Sequence, residues 1–102
     1  MIIVIATIDT TTESIEGIRE AAAALESATR QEPGCLDYTL CVELSDPNRA
    51  RIVETWADQE ALIEHLQTPH VAAFREAMGK ADIRNMDLKS YEGGEIPFPG
   101  RG

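Results

Sequence analysis

Hydrophobic and polar residues alternate along four segments of this chain and recur at helical spacing along the segments between them. The alternation, which is typical of β-strands, covers residues 2–8, 35–44, 50–57 and 82–92. The helical spacing is clearest over residues 13–31, where one apolar stripe consists of Ile15, Ile18, Ala22 and Leu25. The order β-α-β-β-α-β predicts an α+β, ferredoxin-like fold with a four-stranded antiparallel sheet and helices on one face.

The second helical segment is predicted to be broken in two. Asp58 can accept the free N–H groups of a first helical turn, so a helix is expected to begin there. Thr68-Pro69 interrupts this helix, because the residue before a proline avoids the α conformation while proline suits a first helical position. We therefore expect Thr68 to cap another helix over residues 69–78. A turn is expected at residues 46–48, Asp-Pro-Asn.

The first two strands carry apolar residues on both faces, whereas the predicted helices can cover only one. In the first strand, Val4 and Ile8 lie on one face and Ile3 and Ile5 on the other. On the second strand, the even positions from Leu36 to residue 44 are expected to form one apolar face. We therefore predict a homodimer, in which a second copy covers the free face of the sheet.

The length of 102 residues indicates one domain, which we place at residues 1–92. Residues 93–102 form a tail rich in glycine and proline. Two interpretations of this tail stay open. It is either a disordered end or an extended arm anchored on a neighbouring surface by Ile96 and Phe98.

The net charge of −9 argues against nucleic acid and anionic membranes as partners, since both require a positive face. The apolar run at residues 1–6 is too short for a signal peptide or a membrane span. Cys35 and Cys41 lie six residues apart on one predicted strand, about 20 Å, which is too far for a disulfide. We expect two reduced thiols in a cytoplasmic protein.

Four sequence features together resemble the antibiotic biosynthesis monooxygenase family. They are residues 33–38 (PGCLDY), 54–56 (ETW), 65–70 (HLQTPH) and Phe74. The resemblance covers residues 1–92 and is strongest to the small quinol monooxygenase-like members. It implies a dimeric α+β barrel. The family includes cofactor-free oxygenases of polyphenolic substrates, haem-degrading enzymes and a signal-molecule isomerase.

Haem degradation is disfavoured by the positions that the haem-degrading branch would require. That branch has a tryptophan near the position of His65, a ligating histidine near Arg75 and an asparagine near Ala6 or Thr7. This chain matches none of the three. The sequence contains no Gly-rich phosphate loop, dinucleotide fingerprint or nucleophile elbow. We therefore expect no cofactor. We also expect no metal, because the two histidines have no carboxylate nearby in sequence that points the same way.

The candidate catalytic residues are His65 and His70, because imidazole has the ordinary pKa, about 6.5, that suits a base near neutral pH. His65 shares an apolar helix face with Leu62 and Leu66, and the alternative for each histidine is a structural hydrogen bond. The candidate substrate-binding residues are Tyr38, Trp56, Phe74, Arg84 and Asn85. For these the alternatives are core packing or, for the last two, the polarity of an exposed edge. Glu54 lies on the strand face of Trp56 and is expected to pair with a histidine or Arg84.

Three functions are compatible with these residues. The first is a cofactor-independent monooxygenase that oxidises a small aromatic or quinol-type substrate with O₂. The second is a non-enzymatic dimeric module that binds a small ligand, marked by a cavity without histidine and by histidines bonded to protein groups. The third is an isomerase of a small keto compound, which would turn over without oxygen.

Overall fold

The computed structural model describes residues 1–100. Seven helices and strands follow one another along this part of the chain. They are β1 (Ile2–Asp9), α1 (Thr12–Thr29), β2 (Cys35–Glu43), β3 (Asp46–Trp56), α2 (Gln59–His65), α3 (Pro69–Gly79) and β4 (Asn85–Glu92).

The strands form one antiparallel sheet in the order β2-β3-β1-β4, which confirms the predicted α+β, ferredoxin-like topology. In the register of the sheet, Ile2 lies opposite Trp56 and Glu92, and Asp9 lies opposite Arg49 and Asn85. The two ends of β1 therefore mark two ends of the sheet. At a rise of about 3.3 Å per residue, these ends are about 23 Å apart.

The predicted helix starts are confirmed by their caps. Asp58 accepts a 2.9 Å hydrogen bond from the backbone N–H of Ala61, and α2 begins directly after it. Thr68 accepts from the N–H of Val71, and Pro69 occupies the first turn of α3. The short α2 and the longer α3 are thus separate helices joined at Thr68, as the proline predicted.

Helices α1 and α3 pack on one face of the sheet and form the core with it. The core side chains come from every strand except β4 and include Val4, Ile18, Ile52, Phe74 and Met78. On the opposite face, Ile5 and its register neighbour Val53 make an apolar centre, while ion pairs such as Asp9–Arg49 (2.7 Å) lie towards one end. The uncovered face is therefore mixed rather than uniformly apolar.

Four expectations about strands were wrong. A register shift between Cys35 and Asp37 turns Leu36 outward, so it does not share the face of Tyr38. Leu44 lies beyond the end of β2 and is fully exposed. The turn expected at residues 46–48 is instead part of β3, and the chain reverses at residues 44–45. The last strand begins three residues later than predicted, at Asn85.

All eight residues of β4 are exposed, including Met86, Leu88 and Tyr91. In the tail, the side chains of Ile96 and Phe98 are exposed, and the last two residues of the predicted tail lie outside the described residues. Among residues 1–100, no helix has the length and hydropathy needed to cross a membrane. Cys35 and Cys41 are free thiols.

Candidate functional site

A cluster of polar and aromatic side chains lies at the end of the sheet where β3 ends. Trp56, the last residue of β3, is completely buried there. His65 ends α2 and His70 lies in the first turn of α3, so the break between these helices brings both rings to the cluster. Glu32 joins them from the connection between α1 and β2.

One oxygen of Glu32 contacts both histidines. Its Oε2 atom lies 2.8 Å from Nδ1 of His65 and 2.8 Å from Nε2 of His70. A carboxylate only accepts hydrogen bonds, so each of these ring nitrogens acts as a donor. In a neutral imidazole the other nitrogen then has a free lone pair. Glu32 therefore leaves Nε2 of His65 and Nδ1 of His70 as the basic atoms.

The ring of His65 also contacts two aromatic rings. Its centroid lies 4.6 Å from that of Trp56 and 5.3 Å from that of Tyr38. Tyr38 and Trp56 meet edge to face at 6.4 Å. Tyr38 is buried because the register of β2 on β3 places it on the helix-covered face, opposite Glu54. The buried histidine is thus held by packing as well as by its hydrogen bond.

Glu54 is a second carboxylate in the cluster, and it is buried. Its Oε1 atom accepts a 2.9 Å hydrogen bond from the indole N–H of Trp56. Burial raises the pKa of Glu54, and the Trp56 hydrogen bond and His65 partly oppose this shift. The expectation that Glu54 pairs with a histidine or Arg84 was wrong, because its hydrogen-bond partner is the indole.

Burial also raises the pKa of Tyr38, and the charge of Glu54 adds to the effect. Its phenol therefore remains protonated over the whole neutral range and can donate a hydrogen bond. Exposure increases across the cluster, since the side chains of His65, Glu32 and His70 are 3%, 16% and 24% exposed. His70 is the part of the cluster that solvent reaches most easily.

The other candidate residues lie elsewhere. Phe74 is buried in the core on the next turn of α3 after His70. Asn85 lies opposite Asp9, at the far end of the sheet from Trp56, and Arg84 directly precedes it. Arg84 lines a wide polar groove of about 900 Å³ between the start of α1 and the end of α3. The structure therefore brings together four of the seven candidates, His65, His70, Tyr38 and Trp56.

A second, apolar groove of about 210 Å³ lies between α1 and the neighbouring strands β2 and β3. Its walls include Ile18, Ala22 and Leu40, and Leu40 is two residues from Tyr38 on β2. A third groove, of about 290 Å³, lies beside Gln59 and Tyr91. Within residues 1–100, none of these three grooves is lined by a histidine.

Glu32 was not among the candidates from sequence. It lies in a loop 33 residues before His65, and no periodicity or spacing rule connects the two. The nearest sequence signal was Gly34, since a Cβ atom there would overlap the Cβ of Ala61 in α2. This glycine lets the Glu32 loop approach α2 closely. The carboxylate that the two histidines lacked in sequence is therefore supplied by the fold.

Residues 1–77 match the antibiotic biosynthesis monooxygenase family. The chain is 28% identical over 87 residues to the probable quinol monooxygenase YgiN of Escherichia coli, which covers 78% of this chain and 83% of YgiN. It is 30% identical over 64 residues to an uncharacterised Synechocystis protein, 63% of this chain and only 44% of that protein's length.

Solved structures give the same result. A Deinococcus radiodurans protein assigned provisionally to the antibiotic biosynthesis monooxygenases superposes with a TM-score of 0.88 at 32% identity, covering 98% of this chain and 100% of that one. A Pseudomonas aeruginosa structure gives 0.80 at 28% identity, covering 92% and 94%. The chain belongs to the antibiotic biosynthesis monooxygenase family.

Proposed function

We propose that this chain is a cofactor-independent monooxygenase that oxidises a small aromatic or quinol-type substrate with O₂. Its family and its similarity to YgiN support this reaction class. The observation that carries the proposal is the contact of one Glu32 oxygen with two imidazoles, 2.8 Å from each. This contact fixes which nitrogen of each ring can take up a proton.

The proposed reaction balances without an external reductant. A base removes a phenolic proton from the quinol, and the resulting phenolate donates an electron to O₂. One oxygen atom then forms the new C–O bond and the other leaves as water, so a quinol and O₂ give a hydroxyquinone and water. The substrate supplies all of the electrons. The protein supplies a base, a hydrogen-bond donor for the developing oxyanion and an apolar surface that excludes water.

His70 is the proposed base, because the Glu32 contact occupies Nε2, which leaves Nδ1 as the acceptor of the neutral ring, and its side chain is the most exposed of the three. His65 is the second catalytic residue, on the buried side of Glu32. Tyr38 donates to the oxyanion, which its raised pKa supports. Trp56 packs against His65 and forms the apolar backing of the cluster, whereas Phe74 lies in the core and is not part of the proposed site. Arg84 and Asn85 lie at the other end of the sheet and are not part of the proposed site.

We further propose that the chain acts as a homodimer in the cytoplasm. Strand β4 forms an edge of the sheet, and 66% of Leu88 and about half of Met86 and Tyr91 are exposed on it. Large apolar side chains on an edge strand favour a covering partner. Two free thiols agree with a reducing compartment.

Oxygen uptake by the purified chain, freed of metals and flavins and supplied with a panel of quinols, tests the activity. We expect consumption above the buffer rate, and a loss of about 100-fold or more in His70→Ala, the usual contribution of a general base. Glu64→Gln is the matched control, since this exposed carboxylate adjoins His65 in α2. Full activity in His70→Ala would remove His70 from the mechanism.

A second candidate function is a non-enzymatic module that binds a small apolar ligand. The apolar groove between α1 and β2 favours it, because this groove contains no histidine and both histidines are bonded to Glu32. No oxygen uptake with any quinol, together with ligand binding that Ala22→Phe abolishes by filling the groove, would support this candidate over the monooxygenase.

A further inference from the structure

Glu32, His65 and His70 each contribute one ligand atom to a compact cluster. The atoms are Oε2 of Glu32, Nδ1 of His65 and Nε2 of His70, and all three lie within 4.8 Å of one another. They come from a loop and two helices, and the Pro69 break between α2 and α3 sets the angle between the rings. We propose that these three residues form a site for a divalent transition metal. Nothing in the proposed reaction requires it.

The donor set fits such an ion. Two imidazoles and one carboxylate bind zinc in catalytic sites and ferrous iron in facial triads, and both leave coordination positions open. Ligands about 2.1 Å from an ion stand about 3.0–3.4 Å apart at tetrahedral or octahedral angles. The two Glu32–histidine distances of 2.8 Å therefore need to open by only a few tenths of an ångström. The two imidazole nitrogens have to move closer together.

The charge around the cluster also favours a cation. Among residues 1–100, Glu32 has ion-pair contacts only with the two histidines, and Glu54 has none. Both side chains are mostly enclosed, and no arginine or lysine within residues 1–100 pairs with either carboxylate. A dication bound by the three ligand atoms would carry positive charge next to Glu32 and near Glu54. The partly exposed side chains of Glu32 and His70 provide an entry path.

Metal binding and base catalysis would exclude each other. A metal on Nδ1 of His65 and Nε2 of His70 moves the single proton of each neutral ring to its other nitrogen. Nε2 of His65 and Nδ1 of His70, which can accept a proton in the metal-free protein, then carry protons and no longer act as bases. The metal-loaded chain is therefore expected to oxidise no quinol, whereas the metal-free chain keeps its rate if the proposed function is correct.

Isothermal titration calorimetry of the full chain, treated with chelator and desalted, with zinc chloride near neutral pH tests the site. We expect one zinc per chain. Glu32→Gln and His70→Ala should each weaken binding by at least about tenfold, since even the outer partners of metal ligands contribute that much. Glu64→Gln, the exposed neighbour of His65, should bind zinc unchanged. Circular dichroism checks that each variant is folded. If Glu32→Gln does not fold, the zinc affinity of His70→Ala decides the test.

Thiols are the competing zinc ligands in this chain. The double variant Cys35→Ser, Cys41→Ser should bind zinc as tightly as the parent. Cobalt(II) should give visible d–d bands without the sulfur-to-metal absorption that a thiolate ligand produces. No zinc binding, or binding that survives both Glu32→Gln and His70→Ala, overturns the proposal. Failure of the zinc titration leaves the oxygen-uptake result unaffected, so the two proposals can fail separately.

Discussion

The indole N–H of Trp56 donates a 2.9 Å hydrogen bond to the carboxylate of Glu54, two residues earlier on the same strand face. Both side chains are buried. An unpaired buried acceptor costs free energy comparable to its lost hydration. The pair therefore links the stability of the sheet end to the candidate site, which Trp56 contacts through His65.

Trp56→Phe is expected to lower the free energy of unfolding by about 2–4 kcal/mol, because it leaves a cavity and a buried carboxylate without its donor. The same change in a Glu54→Gln background should cost less, since an unpaired amide is cheaper to bury than an unpaired charge. Urea unfolding of the parent, the two single variants and the double variant measures the difference between the two costs, which we expect to be about 0.5–3 kcal/mol. Equal costs in both backgrounds would show that the hydrogen bond contributes nothing to stability.

Glu54→Gln should stabilise the protein more at neutral than at acidic pH. The folded-state pKa of Glu54 is raised above its ordinary value of 4.5 by burial, so the folded protein holds this proton more tightly than the unfolded chain does. The contribution of this proton to the free energy of unfolding is complete at pH values below the pKa of Glu54 in the unfolded chain. It is lost as the pH rises through the pKa of Glu54 in the folded protein. Stability differences between variant and parent, measured by urea unfolding from acidic to neutral pH, should increase over that range. A stability difference that stays constant or falls as the pH rises would contradict the raised pKa of Glu54.

Gly34→Ala and Gly17→Ala should have opposite effects on stability. A methyl group at Gly34 would overlap Ala61, so either the Glu32 loop or α2 must move. At Gly17, within α1, nothing lies within 4 Å of the added carbon, and alanine favours a helix by about 1 kcal/mol. Thermal unfolding should show a lower midpoint for the first variant and an equal or higher one for the second. Zinc binding and oxygen uptake should fall only in Gly34→Ala, because that loop positions Glu32.

The two thiols should react at different rates with a disulfide reagent. Cys41 is exposed, whereas Cys35 is half-buried, and burial together with the charge of Glu32 raises the pKa of Cys35. Because the thiolate is the reactive form, we expect one fast and one slow phase near neutral pH. Cys41→Ser should remove the fast phase and Cys35→Ser the slow one. A single phase for the parent would show that the two environments are equivalent.

The fold was largely predictable from the sequence because hydrophobic periodicity records which face of each strand or helix is buried. The caps Asp58 and Thr68 and the Pro69 break were confirmed for the same local reason. Irregularities in β2 were not predictable, since the bulge that turns Leu36 outward depends on pairing with β3. Sheet register likewise decides that Asn85 lies far from Trp56, and register follows from the whole sheet rather than from β4 alone.

The candidate site was only partly predictable. His65, His70 and Trp56 stood out because they occur together around one helix break and are rare in this chain. Glu32 is one of 18 acidic residues, and its role arises only when the α1–β2 connection packs beside α2. Local patterns therefore identified the groups with distinctive chemistry, and tertiary packing selected the carboxylate that joins them.

The ring contact between His65 and Trp56 has a practical consequence, because Trp56 is the only tryptophan of the chain. Its fluorescence originates from a single, fully buried indole whose neighbour is a ring of the candidate site. Changes in emission on adding a substrate or an ion would thus report on this one location without any introduced label. The chain carries its own optical probe at the place where its chemistry is proposed to occur.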